Sequence, residues 1–133
     1  MDIDNDRAAK RPRTEDATVE DVMYLARVMW RRNDPYERST AQQEDRDFRE
    51  TFGKGPFAAH TTWCMLVNHD LVPENGELEH LLWTMMFAKN HYKTRGMRTA
   101  CQADSKTVKK HCWAFMSAIA DLEPALVSSA FID

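Results

Sequence analysis

The chain has 133 residues, of which 43% are hydrophobic and 29% charged, and its formal net charge at pH 7 is −3. That length suits one domain with a buried core, and the composition is typical of a globular protein. No apolar run is long enough to span a bilayer and no signal-peptide pattern opens the chain, which argues against a membrane protein. Because the cysteines (Cys64, Cys101 and Cys112) are odd in number, we expect buried free thiols in a reducing compartment.

Positive charge is concentrated in one segment, between Lys89 and His111. It holds seven Lys or Arg residues against one acid, Asp104, so it carries +6 and the remainder of the chain carries −9. The seven are Lys89, Lys93, Arg95, Arg98, Lys106, Lys109 and Lys110. This asymmetry is typical of a DNA-facing patch on an otherwise acidic protein, although a solvated helix face can also produce it.

The first 16 residues are polar and nearly free of large apolar side chains, which predicts a disordered tail. The tail contains a compact basic cluster, Lys10-Arg11-Pro12-Arg13. Such a cluster is typical of a nuclear import signal, and it predicts a nuclear protein. A basic tail without a targeting function is the alternative.

Two helices are predicted in the region that follows the tail. The first begins at Thr18, with Asp21 as its capping-box partner, and ends at Asn33-Asp34-Pro35. Its apolar stripe consists of Val22, Leu25, Ala26, Met29 and Trp30. Residues 36–47 are predicted as a polar loop before a short second helix, which carries Phe48 and Phe52 and ends at Gly53 as a left-handed cap.

The middle of the chain predicts two further helices, separated by a turn at Val72-Pro73-Glu74-Asn75-Gly76. Gly55-Pro56 begins the third helix, whose predicted core face is made of Phe57, His60, Cys64, Val67 and Leu71, with Trp63 and Leu66 beside it. His60 with Cys64 or His69 lacks a second ligand pair at zinc-like spacing, so we expect no metal site. The fourth helix, roughly Leu78 to Asn90, is apolar almost all round and should lie at the centre of the bundle.

The last part of the chain predicts a helix-turn-helix at residues 97–122. A short helix over Met97 to Ala103 is followed by a tight break and a long helix that Asp104 caps, and Glu123-Pro124 ends it. The buried stripe of the long helix is Val108, Cys112, Phe115, Ile119 and Leu122. Ala100 and Val108 would lie between the two helices. The turn position that Gly usually holds is Gln102, so the turn must tolerate a side chain or take another shape.

These elements predict an all-α fold: a compact bundle of five to six helices in residues 17–133, ending in the helix-turn-helix and preceded by a disordered tail at residues 1–16. In a double-stranded DNA-binding module, the first turns of the long helix would enter the major groove. The expected contacts there are Lys106, Thr107, Lys109 and Lys110, with Arg95 and Arg98 on flanking phosphates. His111 could also reach the DNA backbone, although a histidine on a helix surface is more often only solvated.

A set of short motifs runs from Phe48 to Leu122. The most specific are the His80-Leu81-Leu82-Trp83 box and the Asp-x-Lys-Thr start of the last helix at Asp104. The other positions are Phe52-Gly53, Pro56, Trp63, Leu66, Pro73, Gly76, Phe87, Lys89, Lys110 and Trp113. Their order and spacing resemble the N-terminal helical region of eukaryotic DDE transposases of the Harbinger type and of transposase-derived proteins.

The resemblance implies a DNA-recognition region whose helix-turn-helix binds transposon terminal repeats. In that family the region precedes an RNase H-like nuclease domain with three metal-binding carboxylates. This chain stops where that domain would begin, so the catalytic residues of the family have no matching positions. We therefore expect a module with no cofactor, metal or small-molecule substrate, which could pair with itself or with an intact transposase.

Two other functions are compatible with the sequence. A protein-interaction or dimerisation module without DNA binding would use the aromatic residues Trp63, Trp83 and Trp113. An enzyme would need a partner set for Glu77, Glu79 and His80 on another helix, and the sequence provides none, so an enzyme is the weakest reading.

Overall fold

A computed structural model describes residues 17–33, 40–90 and 94–132 of the chain. Within these ranges the chain forms six helices and no strand, which confirms the predicted all-helical bundle. The helices are α1 Val19–Asn33, α2 Ala41–Phe52, α3 Pro56–Asn68, α4 Leu78–Asn90, α5 Thr94–Cys101 and α6 Ser105–Ile132. The basic cluster Lys10-Arg11-Pro12-Arg13 and the disorder predicted for residues 1–16 lie outside the described residues.

Local capping explains where α1 and α2 begin. The backbone amide of Thr18 donates to Asp21 Oδ2 at 2.8 Å, and the amide of Asp21 donates to Thr18 Oγ1 at 3.2 Å, so the predicted capping box is confirmed. The prediction of a loop up to residue 47 is wrong, because α2 already begins at Ala41. Thr40 caps it by accepting from the amide of Gln43, and the Gln and Glu residues of the next turn are good helix formers.

The buried face of α3 differs from the predicted one. Phe57, which was expected in the core, is 74% exposed, whereas Ala59, Trp63 and Leu66 are buried. Because α3 is apolar on several sides, its periodicity alone did not select one face. The core takes the large indole of Trp63, and Phe57 in the first turn then points to solvent.

The fourth helix is the centre of the bundle, as its apolar circumference predicted. It packs against each of the other five helices in the described residues. Leu78, Leu81, Leu82, Trp83 and Met86 are buried in one hydrophobic cluster that includes residues of all six helices. The position of α4 fixes how the last two helices are presented.

The last helix is longer than predicted, because α6 continues through Glu123-Pro124 to Ile132. A proline inside a helix costs one backbone hydrogen bond and usually bends the helix, and here the flanking Ala and Leu residues favour helix on both sides. The predicted end of α6 was therefore wrong. Among the described residues, no helix combines the length and apolarity needed to cross a membrane.

Candidate nucleic-acid interface

The amino-terminal end of α6 is fixed by Asp104. Its Oδ1 accepts from the backbone amide of Thr107 at 2.7 Å, and its carbonyl oxygen accepts from the amide of Val108 at 3.0 Å. The hydrogen bonds from Thr107 hold the pKa of the Asp104 carboxyl below its ordinary value, because they stabilise the ionised form. The predicted N-cap is confirmed, and α6 begins at Ser105.

The turn between α5 and α6 takes a left-handed residue, as helix-turn-helix geometry requires, but the residue is not glycine. Gln102 has a φ of +52°. The next amide, that of Ala103, donates back to the carbonyl of Arg98 at 3.4 Å, which is the bond of a Schellman cap. The turn therefore tolerates the side chain of Gln102, although the left-handed backbone costs about 1 kcal/mol.

The two helices of the predicted motif pack together through small and branched side chains. Ala100 on α5 and Val108 on α6 are each 1% exposed and belong to the same hydrophobic cluster. Met97 and Cys112 complete the buried surface between them and the rest of the bundle. The short helix spans Thr94–Cys101, so it begins three residues earlier than predicted. It ends two residues earlier than predicted, because the left-handed Gln102 stops it.

The predicted DNA contacts on α6 lie on its outer surface. Lys106, Thr107, Lys109 and Lys110 are exposed, while Val108 between them is buried. Arg98 on α5 is exposed as well. The backbone of Arg95 lies in α5, but its side chain lies outside the described residues. The first two turns of α6 thus present Lys106, Lys109 and Lys110 at the surface, and the neighbouring helix α5 presents Arg98.

Arg32 joins the motif to the body of the bundle, and the sequence reasoning missed this. Its Nη1 donates to the carbonyl oxygen of Ala100 at 2.7 Å and to Glu79 Oε1 at 3.3 Å. The same guanidinium thus ties the last turn of α5 to α1 and α4. A basic residue at the end of α1 suits the dipole of its own helix, and no local pattern reveals a partner 68 positions away.

His111 faces the bundle and does not extend along the outer surface of α6. Its ring stacks on that of His80 with centroids 3.7 Å apart, and Trp83 stands edge-on to both rings. Burial, and then the charge of a protonated His111, lower the pKa of His80 to about 4. Partial burial and Lys110 lower the pKa of His111, against the opposite effect of Glu77. Both imidazoles are therefore neutral near pH 7.

The acidic residues next to His80 have structural partners. The amide of Glu77 donates to His80 Nδ1 at 3.0 Å, and Glu79 pairs with Arg32 at 3.3 Å. His80 Nδ1 thus accepts a local backbone hydrogen bond, and the Glu79 carboxylate is engaged in an ion pair between helices.

The aromatic residues proposed for a protein interface separate into two groups. Trp63 and Trp83 are 1% and 4% exposed, so they belong to the core and cannot serve as an interface. Trp113 is 62% exposed and touches only the edge of the Phe87 ring among the aromatic contacts described, with centroids 6.3 Å apart. Because Trp113 follows Lys109 by four residues, it lies on the same side of α6 as the lysines.

The cysteine and histidine residues of α3 do not form a ligand set. His60 Nε2 lies 2.8 Å from the carbonyl oxygen of Ala17 and 3.5 Å from Cys64 Sγ. No group of three or more potential ligand side chains occurs in the described parts of the chain. The cysteines are free, as predicted, but only Cys101 and Cys112 are buried, while Cys64 is partly buried. Burial raises the pKa of Cys112 to about 11 and that of Cys101 further, so both thiols stay protonated.

Comparisons of the chain with protein-family models, with curated proteins and with solved structures found no match. The resemblance to Harbinger-type transposases therefore remains a prediction from the motifs themselves. The fold defines the chain as an all-helical domain whose last two helices are arranged as a helix-turn-helix.

Proposed function

We propose that this chain is a double-stranded DNA-binding module, and not an enzyme, that inserts the first two turns of α6 into the major groove. The observation that carries the proposal is the capped start of α6. Asp104 fixes the first turn, Val108 anchors it in the core, and Lys106 and Lys110 are left on the outer surface. A rigid helix end with cations outside is what groove insertion needs.

The dimensions of the helix fit this use. Lys106 and Lys110 are one turn apart, so they are separated by about 6 Å along the helix axis, and a lysine side chain adds several more ångströms of reach. The major groove is about 12 Å wide, which admits one helix and lets long side chains reach the phosphates at its rims. Arg98 on α5 would then contact a phosphate outside the groove, as the first helix of such motifs does.

The finer parts of the proposal depend on the resemblance to Harbinger-type transposases. It suggests transposon terminal repeats as the DNA target, and an intact transposase or a second copy of the chain as a protein partner. The basic cluster Lys10-Arg11-Pro12-Arg13 supports a nuclear location. We propose these as consequences of DNA binding, each of which can fail separately.

Binding to random-sequence duplex DNA at a series of salt concentrations tests the main proposal. Fluorescence anisotropy of a labelled duplex should give a log–log plot of affinity against salt with a steep negative slope, about −0.9 for each phosphate neutralised. Selection of bound sequences at two salt concentrations then reveals any preferred site. No binding at low salt overturns the proposal.

A pair of lysine variants locates the interface. Lys110→Gln should weaken binding to all duplexes alike and reduce the slope of the salt plot by about one. Lys54→Gln is the matched control, because Lys54 is also exposed but lies in the turn between α2 and α3. Equal effects of the two substitutions would show that binding depends on overall charge and not on the start of α6.

Protein interaction through Trp113 is the second candidate function. Its large exposed indole is unusual for a solvated helix surface and typical of an interface anchor. Sedimentation of the full chain at increasing concentration, for the wild type and for Trp113→Ala, measures self-association directly. Association that the substitution abolishes, together with absence of DNA binding, favours this function over the first.

A further inference from the structure

The rings of His80 on α4 and His111 on α6 stack on each other near the start of α6. The ring centroids are 3.7 Å apart and the ring planes differ by 11°. Trp83 stands edge-on to both rings, at centroid distances of 4.6 Å from His80 and 5.6 Å from His111, and Phe115 lies 6.5 Å from His80. Aromatic groups therefore surround the pair on the bundle side.

Hydrogen bonding fixes the neutral form of His80. The backbone amide of Glu77 donates to its Nδ1 at 3.0 Å, so that nitrogen must be unprotonated. The nearby Trp83 Nε1 is buried without a hydrogen-bond partner, and as a donor it cannot stabilise an additional proton on either ring. A proton taken up at Nδ1 of His80 would break the bond from Glu77.

The charged groups around the pair come from two sides. On α6, Lys110 disfavours a proton on His111, while Glu77 in the turn before α4 favours one. Glu79, in the first turn of α4, forms an ion pair with Arg32. From α3 the neighbouring group is the neutral indole of Trp63, which stacks on Phe115. A single carboxylate, partly balanced by a lysine, cannot stabilise two positive charges on stacked rings.

The direction of the pH effect follows from linkage. The folded chain holds the pKa of His80 near 4, against 6.5 for the free side chain, and it lowers that of His111 too. Between these values the unfolded or separated rings bind protons that the stack excludes. The stability of the stack is thus fully present above pH 6.5 and is lost as the pH falls toward 4.

We propose that the His80–His111 stack is a proton-sensitive joint, which holds the first turns of α6 against α4 while both rings are neutral and releases them when the rings are protonated. A second part rests on the proposed function: release lowers the affinity of α6 for duplex DNA in acid. This direction is the reverse of simple electrostatics, because added positive charge on a DNA-binding surface ordinarily strengthens binding.

The first test uses the full chain without DNA. NMR titration of the histidine Hε1 protons should give midpoints for His80 and His111 below 6.5, the ordinary pKa of a histidine side chain. Amide hydrogen exchange of residues 106–112 should accelerate over the same pH range in which the two rings titrate. Titration of both rings at the ordinary value of 6.5, with no change in exchange on α6, contradicts the proposal.

A substitution separates the pair from general effects of acid. His111→Phe retains an aromatic ring on His80 but removes one proton site, so the midpoint of His80 should rise and the acceleration of exchange should shrink. His69→Phe is the control, since it removes an exposed histidine at the end of α3. If His111→Phe does not fold, the titration of the unmodified chain decides alone, and equal effects of the two substitutions contradict the proposal.

The effect of release on DNA affinity is measured by fluorescence anisotropy of a labelled duplex at pH 7.0 and pH 5.5, at constant ionic strength. At pH 5.5, one unit below the ordinary pKa of 6.5, a separated His80 ring is mostly protonated, which favours release by about tenfold. The wild type should therefore lose up to about tenfold in affinity, and His111→Phe should lose less. A gain in affinity at pH 5.5 overturns the coupling to DNA. Absence of binding at both pH values would instead refute the proposed function, while the NMR result stands on its own.

Discussion

The Nη1 of Arg32 lies 2.7 Å from the carbonyl oxygen of Ala100 and donates a hydrogen bond to it. This carbonyl belongs to the last turn of α5, where backbone oxygens have no partner inside the helix. Glu79 shares the same guanidinium nitrogen at 3.3 Å and balances its charge. One arginine of α1 therefore both satisfies the end of α5 and fixes that end relative to α4.

Arg32→Gln should destabilise the chain by about 2 kcal/mol, because the partly buried carbonyl of Ala100 and carboxylate of Glu79 both lose a charged donor. Urea unfolding followed by circular dichroism measures the free energy of unfolding. Arg31→Gln is the control; Arg31 precedes Arg32 and is exposed, so its loss should cost less than about 0.5 kcal/mol. Similar losses for the two variants would contradict the role assigned to Arg32.

Gln102→Gly should stabilise the chain. The left-handed φ of +52° strains a side-chain-bearing residue, whereas glycine adopts it freely. The relief of strain outweighs the greater freedom of glycine in the unfolded chain, which leaves a gain of about 0.5 kcal/mol. Gln102→Val should lower the free energy of unfolding by more than about 1 kcal/mol, since a β-branched side chain fits this conformation worst. A loss on introducing glycine would show that the Gln102 side chain itself supports the turn.

Periodicity and capping in the sequence predicted the parts of the fold that depend on neighbouring residues. The bounds of α4, the cap at Asp104 and the left-handed Gly53 all depend on interactions within a few positions, and all are confirmed. The stripe on α6 was also predicted well: Val108, Cys112, Phe115 and Leu122 are buried, and Ile119 is partly buried.

The features that the sequence did not reveal are long-range or depend on packing. His80 and His111 are 31 positions apart, and nothing local marks either as the partner of the other. The prediction of the buried face of α3 was wrong, because several faces of this helix are apolar. Only the volume of Trp63 selects the face that is buried. Exposure of the lysines was predictable from their alternation with buried residues, but the anchoring of their helix by Arg32 was not.

Truncation of two aromatic residues on α6 should destabilise the chain by very different amounts. Phe115 is fully buried beside Trp63 and Gly76, where even a Cβ on Gly76 would lie 3.0 Å from its ring. Phe115→Ala should therefore cost about 3–5 kcal/mol. Trp113→Ala removes a mostly exposed indole and should cost less than about 1 kcal/mol. Denaturant midpoints of the two variants measure the difference, and a large loss for Trp113→Ala would mean that its contact with Phe87 is part of the core.

Asp104 should contribute to stability in a pH-dependent way, because only its ionised form accepts the amide of Thr107 at full strength. Its folded pKa lies below the ordinary 3.8, so this contribution is fully present above that pH and is lost as the pH falls through the folded pKa. Asp104→Ala should lower the thermal midpoint at pH 7 more than Asp104→Asn, since asparagine also caps helices but carries no charge.

Thermal midpoints from pH 7 to pH 3 measure this contribution. The wild type should lose its advantage over Asp104→Asn as the pH falls, until the two curves approach each other in acid. Asp121→Asn is the matched control, because Asp121 is an exposed carboxylate in the interior of the same helix. A constant separation between the wild type and Asp104→Asn across the whole range would show that the charge of Asp104 does not stabilise the start of α6.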